Sequence, residues 1–479
     1  MITRIIGRRL DLRQQTKRRR SSLRRTTRRR TARSSVLMKL GDFCSWHDSA
    51  TCVWITPIRM RALPSGCREL CRKGNMKRYA IVGSGLAGHR AAISLRNLAP
   101  SSSIHMFGDE SHLPYDRPPL TKDFLLGKVE QAQLTFSDVQ TYDTLNIHYH
   151  HATRIVAIDR HQRSITTDRN EVYEYDKLLL ATGSRPRRLP EMEDARAIYL
   201  RTVDDAARLR SVLEPGRSIG IIGAGFVGLE VAAAARDRGC AVCVIEAAPS
   251  VLSRGLPPLV SNAIQRLHLS RGVEIVCGQT AKAIEWTRRG PINIELSHRS
   301  FSADAVVVGV GVIPNTELAA AAGLEVDNGI VVDCHLQTAD PSIFAAGEVT
   351  KHPVGKGGAL LRLESWNVAH KQPLVAAACM TGHDLVYDEI PWLWSDQFGQ
   401  NLQILGDVAD SQDFLLRGHL DSEQWTLIAL NSATEPTGAI AFNSGRDISM
   451  MRRILKSGGN LPLDVISSSR PVSAMVPVC

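Results

Sequence analysis

Between Met76 and Cys240 the sequence contains no cysteine, although the 479-residue chain holds ten. A thiol or dithiol relay built from that stretch is therefore excluded, because such chemistry runs through a thiolate. Four cysteines (Cys44, Cys52, Cys67 and Cys71) lie upstream, and Cys479 is the last residue. Cys240 and Cys243 form a CxxC inside the apolar run Cys240-Ala-Val-Cys-Val-Ile-Glu246, which reads as a buried parallel strand. No second ligand pair stands near enough for zinc, so packing is expected there and no metal. Cys277, Cys334 and Cys379 read as small core residues, and nothing calls for an oxidising compartment. A cytoplasmic protein is expected. An uncharged apolar run of about 20 residues is also missing, so no membrane-spanning helix is expected. There is no apolar segment with a small-residue cleavage site, so secretion is not expected. The fifteen histidines include no HxxxH. Aromatics are only 5%, against 43% hydrophobic and 22% charged residues, a globular composition long enough for about three domains.

The net charge of +11 suggests a nucleic-acid partner until it is divided. Residues 1–75 hold 20 Lys and Arg against 4 Asp and Glu, a net of +16, which leaves 39 against 44, or −5, for the rest. The body is mildly acidic, and no nucleic-acid partner is expected for it. Runs such as Lys17-Arg18-Arg19-Arg20 cannot build a core, so 1–75 reads as a disordered extension. An organelle transit peptide or a basic binding arm would look the same. The favoured reading is a start codon placed too far upstream, since Met76 directly precedes the strand Lys77-Arg-Tyr-Ala-Ile-Val82.

What the body does contain is a repeated fingerprint. Gly83, Gly85 and Gly88 form GxGxxG between a strand and a helix. The first glycine allows the turn, the second lets backbone approach a pyrophosphate, and the third lets helix pack on strand. A second strand, Ile104-His-Met-Phe107, ends near Asp109 and Glu110, where a carboxylate can meet a ribose. The pattern recurs at Gly223, Gly225 and Gly228, and its second strand ends at Glu246. No arginine follows immediately to hold a 2′-phosphate, so NADH is expected over NADPH. Two fingerprints imply two nucleotides, most simply FAD and NADH. Strands ending at Thr182-Gly183, Gly311 and Gly347-Glu348 place further residues where such sheets bind ligands. The expected fold is α/β. Two Rossmann-like domains bind FAD (76–190 and 315–390) and NADH (191–314), the first interrupted by the second. A small α+β domain (391–479) follows.

These residues resemble the FAD-dependent pyridine-nucleotide oxidoreductases of glutathione-reductase type. With Leu113-Pro-Tyr-Asp-Arg-Pro-Pro-Leu-Thr-Lys122, Arg362-Leu-Glu-Ser-Trp366 and Pro391-Trp-Leu-Trp-Ser-Asp-Gln397, the resemblance narrows. Over residues 76 to about 466 the chain is similar to the ferredoxin reductase components of bacterial aromatic-ring dioxygenases, such as those of phenylpropionate, biphenyl and anthranilate systems. The resemblance implies that Ala87 and the first turn hold the FAD pyrophosphate, and that Asp109 approaches the adenosine ribose. It implies that Lys122 lies over the isoalloxazine and pairs with Glu230. Arg117, Ile155, Arg201 and Trp366 become further FAD contacts. Glu348 stands where the family has Asp, and Phe398 where Tyr is common, at the edge of the flavin site. Disulfide-reducing relatives carry cysteine beside the flavin, and this sequence has none between Met76 and Cys240. Electrons from NADH are then expected to pass from FAD singly to a two-iron, Rieske-type ferredoxin that supplies a terminal dioxygenase. The helix Met450-Met-Arg-Arg-Ile-Leu-Lys456 is expected to present Arg452, Arg453 and Lys456 to that acidic partner, or simply to solvent. Trp394 is either a core aromatic or part of the electron path. A monomer or homodimer is expected. The alternatives are a reductase for rubredoxin or for a ferredoxin feeding a haem monooxygenase, or a flavoprotein similar to apoptosis-inducing factor that binds through its basic arm.

Overall fold

The computed structural model describes residues 76–458, except Glu193, Ala195, Lys282, Arg288, Arg289, Lys356, Asp410 and Gln412. The basic segment 1–75 and the last residues, 459–479, both subjects of expectations above, lie outside the described residues. Short, mostly apolar strands of two to six residues give two parallel sheets. In the first the order is Ile343–Ala345, Lys177–Leu180, Arg78–Val82, Ser103–Phe107, Ile147–His150, parallel throughout. Leu178, Leu179 and Leu180 have no exposed surface, since helices or loops cover both faces, and each burial contributes roughly 1.5–3 kcal/mol. The second sheet repeats the plan in the order Glu274–Cys277, Ala241–Glu246, Ser218–Ile222, Ala305–Val308, Ala197–Ile198. Each unit also carries a three-stranded antiparallel meander, Ile155–Glu174 in the first and Ala283–Ala303 in the second. The chain passes from one sheet to the other along Ser184–Pro186 and returns along Val312–Pro314, and these two segments pair antiparallel.

The third layer is a five-stranded antiparallel sheet in the order Trp392–Gln397, Gln400–Gly406, Pro436–Phe442, Trp425–Leu430, Asp413–Gly418. The helix Gly445–Ser457 seals it with Ile448, Met451 and Ile454 at helical spacing. Its basic face is smaller than the sequence suggested. Arg452 is stacked on Trp392, 5.1 Å from the ring centre, and faces Glu389, so it is withdrawn from the face, while Arg453 and Lys456 stay exposed although Lys456 also reaches Glu389. Cys240, directly before the strand Ala241–Glu246, and Cys243 within it are fully buried free thiols in different core clusters. Their side chains pack in separate cores, so this CxxC cannot act as a pair. Among the described residues no helix is long and apolar enough to cross a membrane.

Candidate functional site

Both glycine turns open onto one cleft of about 1400 Å3, larger than the roughly 300–1,000 Å3 of single-ligand sites. Gly83 and Gly223 hold φ near +108° and +102°, angles that a side chain resists. A Cβ on Gly88 would lie 1.8 Å from the Gly83 carbonyl oxygen, and one on Gly228 2.1 Å from that of Gly223. These third glycines therefore lie beneath the turns and not in the cleft wall. Gly85 and Gly225 differ: a Cβ there would meet nothing within 4 Å, and both line the cleft. The helices that they open, Leu86–Leu98 and Phe226–Asp237, have no side-chain N-cap. Uncapped N–H groups beside an open cradle suit pyrophosphate oxygens, so both turns fit a dinucleotide.

The ribose-end carboxylates are held differently. Glu246 accepts from the backbone N–H of Ala224 (2.6 Å) and of Ala248 (2.8 Å), which ties it to the second turn. A carboxylate offers about four acceptor positions, so two remain for sugar hydroxyls. Asp109 is exposed at the rim, while its neighbour Glu110 turns inward to Arg117 (2.5 Å) and Tyr115 (2.6 Å). Arg117 also donates to the Arg201 carbonyl at 2.6 Å, and the Arg201 guanidinium pairs with Glu348. Burial pushes the Glu348 carboxyl up, but the Arg201 and Arg117 charges outweigh it and leave the group below its usual range. Gly347 is held by its N–H to the Gln372 amide oxygen at 2.8 Å, and Thr182, Gly183 and Gly311 complete the wall.

At the centre, Pro118 and Pro119 open a 3₁₀ turn that ends at Lys122. The Lys122 ammonium is 3.3 Å from Glu230 and 2.9 Å from Asp396. Glu230 projects from the Phe226–Asp237 helix, is 8% exposed, and also accepts from the Ser395 hydroxyl (2.6 Å) and from Thr121. Burial raises its pKa, and Lys122, Ser395 and Thr121 oppose that rise. An unpartnered carboxylate there would be expensive; this one has three donors. Trp366 donates to Asp116 at 2.8 Å, stacks on His370 at 4.5 Å, and meets Trp394 edge-on at 5.7 Å. Trp394, which lines the cleft, stacks on Trp392 at 5.1 Å.

Two residues depart from expectation. Ile155 does not line the cleft; as the first residue of a meander strand it points into the first-sheet core, 7% exposed. Phe398 is not at the flavin edge. It forms, with Gly399, a two-residue hairpin tip with φ of 55° and 71°, which turns its ring against His268 at 5.0 Å. The sequence reading passed over Asp116, Thr121, Ser395 and Asp396 as individual groups, although all four lie in the quoted motifs. Among the described residues, no cysteine lines the cleft and no cluster of His, Cys, Asp or Glu could hold a metal.

The comparisons with known proteins agree with this geometry. Residues 77–373 match the family described as pyridine nucleotide-disulphide oxidoreductase, and 392–470 match the reductase C-terminal family. The ferredoxin–NAD(+) reductase component of the anthranilate 1,2-dioxygenase system of Burkholderia cepacia is 44% identical over 382 residues, 79% of this chain and 94% of that protein. Among solved structures, a chain of the covalent putidaredoxin reductase–putidaredoxin complex has a TM-score of 0.80 at 32% identity, covering 83% of this chain and 98% of that one. The ferredoxin reductase for the CYP199A2 system from Rhodopseudomonas palustris has a TM-score of 0.79 at 34% identity, covering 84% and 100%. With two uncapped glycine turns on one cleft and a matching sequence on both sides of it, the chain belongs to the pyridine nucleotide-disulphide oxidoreductase family.

Proposed function

We propose that this protein is an FAD-dependent NADH:ferredoxin reductase, the component that feeds electrons to an aromatic-ring dioxygenase. The observation that carries the reading is a single cleft with two dinucleotide turns, a buried Lys122–Glu230 pair and, among the described residues, no thiol in its wall. Residues 76–190 and 315–390 hold FAD, with Gly83, Gly85, Ala87 and the helix start above Gly88 on the pyrophosphate. Asp109 serves the adenosine ribose. Arg117, Thr182, Gly183, Arg201, Gly347, Glu348 and Trp366 line the rest of that side. Residues 191–314 hold NADH on Gly223, Gly225 and Glu246, beside Gly311, and the Glu246 carboxylate repels a 2′-phosphate. FAD, when bound, accepts two electrons as a hydride and can release them one at a time.

The residues themselves bind, orient and fix charge. Lys122, held between Glu230 and Asp396, keeps one ammonium at the centre of the cleft, where negative charge developing on a bound ring is stabilised. The helix starts position both dinucleotides, which turns the encounter of donor and acceptor into a near-unimolecular event. With no cysteine lining the cleft among the described residues, the reading has electrons leave to an external carrier. A two-iron ferredoxin of Rieske type fits the likeness to the anthranilate system reductase. A second reading, a ferredoxin serving a haem monooxygenase, rests on the likeness to the CYP199A2 system reductase. The reading places the enzyme in the cytoplasm.

The test is anaerobic. Protein loaded with FAD is mixed with NADH, and reduction of purified Rieske and non-Rieske two-iron ferredoxins is followed optically. Flavin bleaching faster with NADH than with NADPH, then rapid reduction of the Rieske protein, is the expected result. Preferential reduction of the other ferredoxin selects the second reading, and bleaching without transfer to either refutes both.

A further inference from the structure

Glu230 does not end at its three donors. The Ser395 hydroxyl that donates to it accepts, at 2.9 Å, from the Gln397 amide nitrogen. The Gln397 amide oxygen is 2.7 Å from His268 Nε2. The chain Glu230–Ser395–Gln397–His268 is buried at every member; Ser395 and His268 have no exposed surface. It joins two of the three units, since His268 and Glu230 come from helices beside the second parallel sheet, and Ser395 and Gln397 from the first strand of the antiparallel sheet. Thr121 and Lys122, from the remaining unit, close it at the cleft.

Its polarity follows from donor and acceptor capacity alone. An ionised Glu230 can only accept, so Ser395 must donate to it. Ser395 has then spent its proton and must accept, which turns the Gln397 amide nitrogen towards it and the amide oxygen towards His268. That oxygen requires an N–H on His268 Nε2, and a neutral ring then leaves Nδ1 bare. Nδ1 is buried with no hydrogen-bond partner, so no group on that side competes with Gln397 in setting the tautomer. Protonating Glu230 would allow the opposite polarity: Gln397 reversed, the His268 proton on Nδ1, and no ionised carboxylate facing Lys122. The network thus has two self-consistent settings, and the His268 tautomer distinguishes them.

We propose that His268 is a positioning residue: acting through Gln397 and Ser395, it holds Glu230 as an ionised acceptor and thereby keeps the Lys122 ammonium at the centre of the cleft. The proposal rests on the reading of that cleft as the FAD site. Without the Nε2–H donor, Gln397 is free to turn its oxygen to Ser395, whose proton then leaves Glu230. Lys122 would shift towards Asp396, which is 41% exposed and lies at the outer side of the pair.

The test uses FAD-loaded full chain with His268→Phe, which keeps a ring against Phe398 and removes both nitrogens, and His268→Gln, which restores an N–H donor. In His268→Phe the rate of flavin reduction at saturating NADH should fall about ten-fold with NADH affinity unchanged, because the Ser395 hydrogen bond to the Glu230 carboxylate is lost in turn. The flavin reduction equilibrium should also weaken about ten-fold, about 30 mV for a two-electron couple. His268→Gln should recover both to within about two-fold. An unchanged rate and potential in His268→Phe, with only thermal stability lowered, would reduce His268 to a packing residue and overturn the proposal. If His268→Phe does not fold, nitrogen NMR of the wild-type holoenzyme labelled in histidine decides, with His268 assigned from the Gln variant. The Nε2–H tautomer is required, and Nδ1–H refutes it. All these readings precede ferredoxin, so an error in the acceptor leaves them intact. Wild-type flavin that NADH does not bleach would instead refute the cofactor reading itself.

Discussion

Glu246 shows how one side chain serves the turn and the ligand together. Because it accepts from both Ala224 and Ala248, changing it disturbs the cradle as well as the sugar contact. Glu246→Gln places an amide N–H against one of those backbone donors, so the NADH KM should rise about ten-fold while kcat at saturation changes little. Initial-rate kinetics with both nicotinamide cofactors measure this. A parallel loss in kcat would show that Glu246 also acts in the hydride step. The glycines and ribose-end acids were legible in the sequence because each stands at a fixed offset from its strand. Their partners were not. Thr121, Ser395 and Asp396 meet Glu230 or Lys122 across 109, 165 and 274 residues, and His268 meets Gln397 across 129. No local period encodes contacts of that range, so His268 read as one ungrouped histidine among fifteen.

At the scale of elements, the second and third glycines of each fingerprint should behave in opposite ways. Gly225→Ala adds a methyl to open space, so the apo-protein should unfold at an unchanged temperature while NADH binding weakens at least ten-fold. Gly228→Ala drives its methyl to 2.1 Å from the Gly223 oxygen and should lose about 3 kcal/mol or more of stability. Calorimetry and NADH titration of the two variants separate the roles, and equal destabilisation would contradict them. Most central parallel strands were legible as apolar runs, whereas Ile147–His150, Glu274–Cys277 and Ala197–Ile198 were not, and the glycines marked where two of the helices start. The hairpin tip at Phe398 was not, because a positive φ at a bulky residue is imposed by the turn geometry and not advertised by composition. The Gly445–Ser457 helix was legible by its spacing, but Arg452 was misplaced, since its stacking on Trp392 depends on a strand some 60 residues away.

Across the whole molecule, buried histidines set the acid limit. His89, His268 and His352 are at most 8% exposed, and burial depresses each from 6.5 to about 4. Their folded values lie below the unfolded one, so the unfolded chain binds more protons between those limits. The stability they permit is complete above pH 6.5 and is lost as pH falls towards 4. Each can cost up to about 1.4 kcal/mol per pH unit in that window. Glu230 and Asp116, pushed up by burial, oppose the trend at its acid end. The urea midpoint should therefore drop between about pH 7 and about pH 5, and a flat profile would mean that these rings are hydrated. The interrupted order of the first sheet reaches further, into how the chain is made. Its edge strand Ile343–Ala345 leaves the ribosome after every strand of the second sheet, the last of which ends at Val308. The inserted unit can therefore close while its host still shows an unpaired Lys177–Leu180 edge, so during synthesis the nicotinamide half is finished first and the flavin half waits for it.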